Sequence, residues 1–221
     1  MINITNEDNM LLMARYPDNY FDLAIVDPPY GIKENSNRKN LAKGACKLRK
    51  EYNTSLWSQE KPTKEYWLEL FRVSKNQIIW GGNYFTDNLP ETRCWIVWNK
   101  YTQDSNFADI EMAWTSFNKS SKLYDWRWNG MLQQDMKNKE ERIHPTQKPI
   151  GVYSKIINDF CNKGEKIIDT HIGSGSIAIS LDKANKFEKM NLTLIGCELV
   201  EDHFKDALKR IKQHTAQQTI F

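Results

Sequence analysis

Two short blocks carry residues suited to chemistry: Asp27-Pro28-Pro29-Tyr30 and Asp169-Thr170-His171-Ile172-Gly173-Ser174-Gly175-Ser176. In the first, a carboxylate stands beside the carbonyl of Pro28. The proline pair fixes the backbone and removes N–H groups that would compete for those acceptors. Two adjacent acceptors suit a group with two N–H donors, an exocyclic amine. Such an amine is a poor nucleophile because its lone pair is delocalised into the heterocycle. Accepting both hydrogens localises that pair and stabilises the positive charge that develops on attack. Tyr30 offers a stacking face for the ring. A rigid strand exit with Asp27 capping local backbone is the plainer reading of the same residues.

In the second block, Gly173 and Gly175 allow close backbone approach to a ligand. A helix beginning there aims its first N–H groups at the same place. Alone, this glycine pattern describes a tight strand-to-helix turn equally well. Glu198 adds to it. It ends the apolar run Ile195-Gly196-Cys197, at roughly the separation at which nucleotide-binding folds place a ribose-gripping carboxylate. It also suits a helix N-terminus.

Both blocks close apolar runs, Leu23-Ala24-Ile25-Val26 and Ile167-Ile168. Each is therefore expected on the loop at the carboxyl end of a parallel strand, where open α/β sheets bind ligands. Strand and helix signals alternate along the chain. Strands are expected over 22–26, 77–80 (stopped by Gly81-Gly82), 94–98, 111–115, 166–169 and 192–197. The runs 94–98 and 111–115 read as a hairpin turning near Asp104-Ser105. Helices are expected over 63–73, around Tyr153, Ile156, Ile157 and Phe160, over 176–185, and last where Phe204, Ala207, Leu208 and Ile211 form an apolar stripe. Residues 33–54 read as a long loop, and 118–142 as a polar segment without clear structure.

At 221 residues the chain is expected to form one domain with a core that needs no disulfides. Its net charge of +3 and pI near 8.5 are not diagnostic alone. Cys46, Cys94, Cys161 and Cys197 are scattered, without metal-ligand spacing, and read as reduced thiols; no metal site is expected. No signal-peptide pattern or membrane-spanning run is present, so a cytoplasmic protein without membrane contact is expected. Lys33, Arg38, Lys39, Lys43, Lys47, Arg49 and Lys50 face only Glu34 between positions 33 and 50. A mobile basic loop over 33–54 gripping phosphates, with Lys47, Arg49 and Lys50 as DNA contacts, stands against a plain solvated loop.

Taken together, these residues resemble the S-adenosyl-L-methionine-dependent amino-methyltransferases of DNA, in the group whose catalytic block precedes the cofactor block. The resemblance runs from about Asn6 to Arg210. Asp27-Pro28-Pro29-Tyr30 is similar to that family's catalytic motif. His144-Pro145-Thr146-Gln147-Lys148-Pro149 is similar to its motif before the glycine loop, and Gly196-Cys197-Glu198 with Phe204, Ala207, Arg210 and Ile211 to its acidic strand end and last helix. Ile79-Trp80-Gly81-Gly82-Asn83 matches a further strand end.

The resemblance implies a Rossmann-like, doubly wound, mostly parallel sheet with a C-terminal-side antiparallel hairpin, the class I methyltransferase fold. It implies that Asp27, Pro28, Pro29 and Tyr30 hold a base flipped from double-stranded DNA. Asp169, His171, Gly173, Ser174, Gly175, Ser176 and Glu198 would hold the cofactor, with Thr146 and Lys148 by its amino-acid end. Thr170-His171 departs from the family's usual proline and phenylalanine, leaving His171 as a polar contact or a substitute ring. Residues 118–143, with Tyr124, Trp126, Arg127 and Trp128, fall where relatives carry target recognition, and Arg127 is a candidate DNA contact.

Adenine N6 is the expected target, since cytosine-specific relatives often have serine at the Asp27 position. Cytosine's exocyclic amine is the runner-up and RNA a more distant substrate. A non-catalytic nucleic-acid binder and a nicotinamide-dependent oxidoreductase compete as classes; the incomplete glycine fingerprint and the motif order disfavour the latter. The tail Gln217-Gln218-Thr219-Ile220-Phe221, in a flexible segment over 215–221, resembles peptides that dock on bacterial sliding clamps, or is simply a frayed end.

Overall fold

A computed structural model describes residues 1–31, 60–103, 108–129, 131–144 and 146–216. The basic stretch 33–54 with Lys47, Arg49 and Lys50, the turn at Asp104-Ser105, Pro145 and the tail Gln217 to Phe221 lie outside the described residues.

Strands that are apolar on both faces require cover on both sides. The chain supplies it with β1 (Ile2–Asn6), α1 (Asn9–Ala14), β2 (Phe21–Val26), α2 (Lys64–Val73), β3 (Ser74–Trp80), β4 (Trp95–Asn99), β5 (Ile110–Thr115), β6 (Lys122–Asp125), β7 (Trp128–Asn129), β8 (Leu132–Gln133), α3 (Ile150–Phe160), β9 (Lys166–Asp169), α4 (Ser176–Phe187), β10 (Thr193–Glu198) and α5 (Glu201–Ala216). Eight strands form one sheet in the order β1-β10-β9-β2-β3-β5-β4-β6, and β7 pairs with β8 separately. The first five in that order are mutually parallel. β5 runs antiparallel to both β3 and β4, forming the expected hairpin, and β6 lies parallel to β4.

The period-2 alternation of strand side chains divides the core in two. Leu23, Ile25, Ile78, Trp80, Ile167 and Leu194 face α3, α4 and α5, packing with Ile156, Ile157, Ile179 and Ala207. Ala24, Val26, Ile79 and Ile168 face the opposite layer, with Leu12 and Met13 of α1 and Tyr66, Trp67 and Leu70 of α2.

Two regions add to the sequence reading. The N-terminus contributes β1, alongside β10, and α1, capped by Asp8, whose carboxylate accepts from Met10 and Leu11 N–H. The polar segment 118–142 is not structureless. Its β6 extends the main sheet, burying Tyr124, and β7–β8 forms a short ribbon. Short strands with at most one buried apolar side chain carry little periodic signal, and tertiary pairing decides them.

Candidate active site

The chain runs β2–α2–β3 toward one side of the sheet and β9–α4–β10–(β1) toward the other. The crevice between β2 and β9 is thus the topological switch point, where ligands bind at the carboxyl ends of the strands. Ala24 pairs with Ile168, Val26 with Ile79 and Gly196 with Asp169. This register brings Asp27, Trp80, Asp169 and Glu198 to one end of the sheet, from opposite halves of the chain.

On the β2 side, Asp27 is held through both carboxylate oxygens. Tyr30 hydroxyl donates to Oδ1 at 2.7 Å, and the Lys148 ammonium donates to Oδ2. Lys148 is almost fully buried, lies 3.3 Å from Tyr30 hydroxyl and 3.5 Å from Glu111 Oε2, and rests 4.9 Å from the Trp80 ring centroid. Lys100 donates to Glu111 Oε1 at 3.0 Å. Two carboxylates and two ammonium groups therefore form one compensated cluster. Burial raises the Asp27 carboxyl above its usual range against the pull of Lys148, and raises the Tyr30 phenol further. Desolvation also opposes ionisation of Glu111, but Lys148 and Lys100 outweigh it and hold that carboxyl low.

Tyr30 stacks on Tyr84 with ring centroids 5.0 Å apart and planes 17° from parallel. Its position depends on Gly81. That residue has φ +66°, and a Cβ there would stand 2.2 Å from Tyr30 Cε1. Gly81→Ala is expected to cost about 1–2 kcal/mol from backbone handedness alone, lowering the melting temperature by roughly 2–8 °C. It should also displace Tyr30; a calorimetric scan with a DNA-binding titration checks both effects.

On the β9 side, Gly173 and Gly175 adopt φ +52° and +73°, turning the chain into α4. Glu198 is buried and accepts from Gly173 N–H at 3.0 Å through Oε2 and from Val200 N–H at 3.0 Å through Oε1. Asp169 accepts from His171 N–H at 2.9 Å. Its burial, with Asp27 and Glu198 nearby, pushes its carboxyl up to about 8. Arg210 of α5 braces the loop from behind, donating to Ser174 carbonyl at 2.8 Å and Ser176 hydroxyl at 2.9 Å while pairing with Glu140 at 2.7 Å.

Within the chain, His171 makes polar contacts through both ring nitrogens and packs against an aromatic ring. Asn9 Nδ2 meets its Nε2 at 3.2 Å, and Thr170 Oγ1 meets its Nδ1 at 2.9 Å. With Asn9 donating, the proton resides on Nδ1. Thr170 continues the chain to Tyr66 hydroxyl at 2.7 Å, and the Tyr66 ring meets His171 edge-on at 5.5 Å. Burial lowers the imidazole to about 3, so it is neutral.

The structure thus gathers Asp27, Pro28, Pro29 and Tyr30 with Lys148, and separately Asp169, His171, Gly173, Ser174, Gly175, Ser176 and Glu198. The Lys148 ammonium points to Asp27 and Glu111. Thr146 is exposed, with Oγ1 3.2 Å from His144 Nδ1. Arg127 is exposed and lies over the Tyr101 ring at 5.5 Å. Sequence reasoning did not single out Glu111, Lys100, Asn9, Tyr66 or Glu140. Each acts through a partner distant in sequence, and no spacing announces it. Among the described residues no helix is long and apolar enough to cross a membrane.

Residues 74–209, more than half of the chain, match the DNA methylase family of N6 and N4 methyltransferases. The chain is 26% identical over 217 residues to the Type II methyltransferase M2.MboI of Moraxella bovis, covering 80% of this chain and 78% of that protein. The M1.HpyAVI–SAM complex shares the fold with a TM-score of 0.56 at 18% identity, over 96% of this chain and 99% of the other. The cytosine-N4-specific PvuII DNA methyltransferase does so with a TM-score of 0.58 at 11% identity, over 98% and 92%. The chain belongs to the N6/N4 DNA methylase family, the S-adenosylmethionine-dependent amino-methyltransferases of DNA.

Proposed function

We propose that this chain is a site-specific DNA adenine-N6 methyltransferase acting on a base flipped out of double-stranded DNA. The observation that carries the reading is the placement of Asp27 and Tyr30 across the sheet's switch point from Asp169, Gly173 and Glu198. The preference for adenine rests on aspartate at position 27.

The residues around the glycine loop fit S-adenosylmethionine. Beyond its chain neighbours, a Cβ built on Gly173 would meet nothing closer than the His171 carbonyl at 3.8 Å, so the turn leaves room for close approach to its backbone. Asp169 suits a cationic amino group and Glu198 a ribose diol, since each carboxylate oxygen can accept a second hydrogen bond. Neutral His171, fixed by Asn9 and Thr170, offers a flat polar edge. When bound, the cofactor supplies an electrophilic methyl group on a sulfonium sulfur, a leaving group that needs no covalent help from the protein.

The chain's own residues do the rest. Asp27 and the Pro28 carbonyl accept the hydrogens of the base amine, and Pro29 has no N–H to compete. The Tyr30 ring stacks on the heterocycle in the place that Tyr84 helps define. Positioning of the reacting atoms about 3–3.5 Å apart provides much of the acceleration. Flipping the base costs roughly a few kcal/mol, met by these contacts.

Labelled S-adenosylmethionine, unmethylated genomic DNA and mass identification of the nucleosides test the proposal. Methyladenine is expected. Methylcytosine would move the base assignment while keeping the chemistry, and absence of any methylated nucleoside would overturn it.

Asp169 gives a pH test. Its carboxyl is raised in the folded protein, so it favours folding when protonated, and that contribution is lost as pH rises from about 4 through about 8. Asp169→Asn removes the penalty and should melt a few degrees higher than wild type at pH 8 without cofactor, while binding S-adenosylmethionine far more weakly. Melting curves from pH 5 to 8 with and without cofactor check both signs.

DNA contacts fall to Lys47, Arg49 and Lys50, with Arg127 beside the sheet edge. Charge reversal at the three loop positions is expected to weaken DNA binding and to flatten its dependence on salt; an unchanged salt slope would remove them from the interface. Docking of the tail Gln217 to Phe221 on a sliding clamp is tested by a pull-down with and without those five residues.

A further inference from the structure

Asp27 is occupied before any base arrives. Oδ1 accepts from Tyr30 and Oδ2 from Lys148, on the carboxylate that is to receive one hydrogen of the base amine. Each oxygen has room for a second donor, but an ammonium on Oδ2 offsets the charge that Asp27 offers an amine. Asp27 therefore serves best when Lys148 moves off it, and a buried ammonium without an acceptor is strongly disfavoured. The next carboxylate oxygen is Glu111 Oε2, 3.5 Å from Nζ. The reversed direction of β5 puts it there. Trp80 pairs with Ala113, so Glu111 lies beyond the end of β3, on the rim that carries Asp27. Lys100 holds the other oxygen, Oε1, at 3.0 Å, leaving Oε2 toward Lys148. The ammonium lies 4.9 Å from the centroid of the Trp80 ring and 5.8 Å from that of Tyr30, so aromatic faces border its path between the two carboxylates.

We propose that Glu111 is a positioning residue that takes over the Lys148 ammonium when a base amine reaches Asp27. Lys148 guards the carboxylate in the empty site, and Glu111 draws it away in the loaded one. This rests on Asp27 as the acceptor for the base amine. It explains why a lysine sits on a residue whose charge is needed for catalysis. It also explains why a second carboxylate, paired with Lys100 through its other oxygen, stands within a side-chain shift of the first. The exchange is electrostatically useful. The base nitrogen gains positive charge as it is methylated, and an ammonium on the same carboxylate oxygen would weaken Asp27 as its acceptor.

The test is a double-mutant cycle in single-turnover methyl transfer, using wild type, Glu111→Gln, Lys148→Met and the double variant, with melting curves showing that each is folded. Glu111→Gln should slow transfer about tenfold or more with cofactor affinity unchanged, and Glu111→Asp should recover part of the rate. In the Lys148→Met background, Glu111→Gln should add almost nothing, because there is no ammonium left to receive. A chemistry-free readout is the ratio of affinities for DNA carrying adenine or unsubstituted purine at the target. The ratio should favour adenine in wild type and fall toward one in Glu111→Gln.

Equal losses in both backgrounds, no loss, or an unchanged ratio would overturn the role of Glu111 alone. A wild type that makes no methylated nucleoside would overturn the amino-methyl reading and this role with it.

Discussion

Asp27→Ala should lower methyl transfer to DNA by at least about 10²–10³-fold, the scale of losing one preorganised electrostatic group aimed at developing charge. It should leave S-adenosylmethionine binding within a few-fold of wild type. The separation follows from the sheet: Asp27 leaves β2, while the glycine loop and Glu198 leave β9 and β10. Alanine removes the acceptor that localises the amine's lone pair and also frees Tyr30 hydroxyl and Lys148. Lys148 retains Glu111 within 3.5 Å, so the variant keeps a partner for its buried ammonium and should fold. Asp27→Asn is the informative companion. It preserves shape and one acceptor oxygen but lacks the charge, so its rate should fall between wild type and alanine. Single-turnover transfer and a thermal-shift titration with cofactor measure the two halves. An alanine variant as fast as wild type would refute the chemistry assigned to this block.

The sequence disclosed this much because the decisive groups are strand ends. An apolar run followed by a carboxylate is a local pattern, and Asp27, Asp169 and Glu198 each terminate one. The open α/β sheet then converts three local patterns into one site, since parallel strands deliver all their carboxyl ends to the same rim. Helices with continuous stripes, such as Trp67, Leu70 and Phe71 in α2, were equally readable. Their burial is set by a periodicity that survives without knowledge of partners.

What escaped depends on pairing. Glu111 reads as one acidic residue in a strand, and only the antiparallel register against Trp80 places it near Lys148. Asn9 lies far from His171 in sequence, and α1 is too short for strong periodicity, though Asp8 before Asn9 and the Ile2, Ile4 alternation were available as signals. The segment 118–142 hides its strands because β6 contributes a single buried side chain, Tyr124. Lys148 shows the other limit. A resemblance supplies a role by motif, whereas the direction of a long flexible side chain is decided by charges contributed from β2 and β5.

The largest effect on stability should come from Arg210→Ala. Arg210 is buried and Glu140 half-buried, and they pair at 2.7 Å behind the glycine loop, with Arg210 also satisfying Ser174 carbonyl and Ser176 hydroxyl. Burial pushes the Glu140 carboxyl up and the Arg210 guanidinium down, so each ion depends on the other for compensation. Removing one partner of such a pair costs about 3–5 kcal/mol because the other charge is left stranded. For a chain of this size that is on the order of 10 °C in melting temperature. Cofactor affinity should fall too, since the carbonyl of Ser174 loses its brace at the turn into α4. Arg210→Met with Glu140→Gln separates charge from packing. Glutamine can still accept from Ile150 N–H, the bond at 2.9 Å that caps α3, and neither residue is then an isolated ion. The double variant should recover most of the lost melting temperature but not the cofactor affinity, because methionine cannot donate to Ser174. Recovery of both would show that the pair serves packing alone, and a double variant as unstable as Arg210→Ala would show that the brace on the loop, rather than the stranded charge, sets the stability.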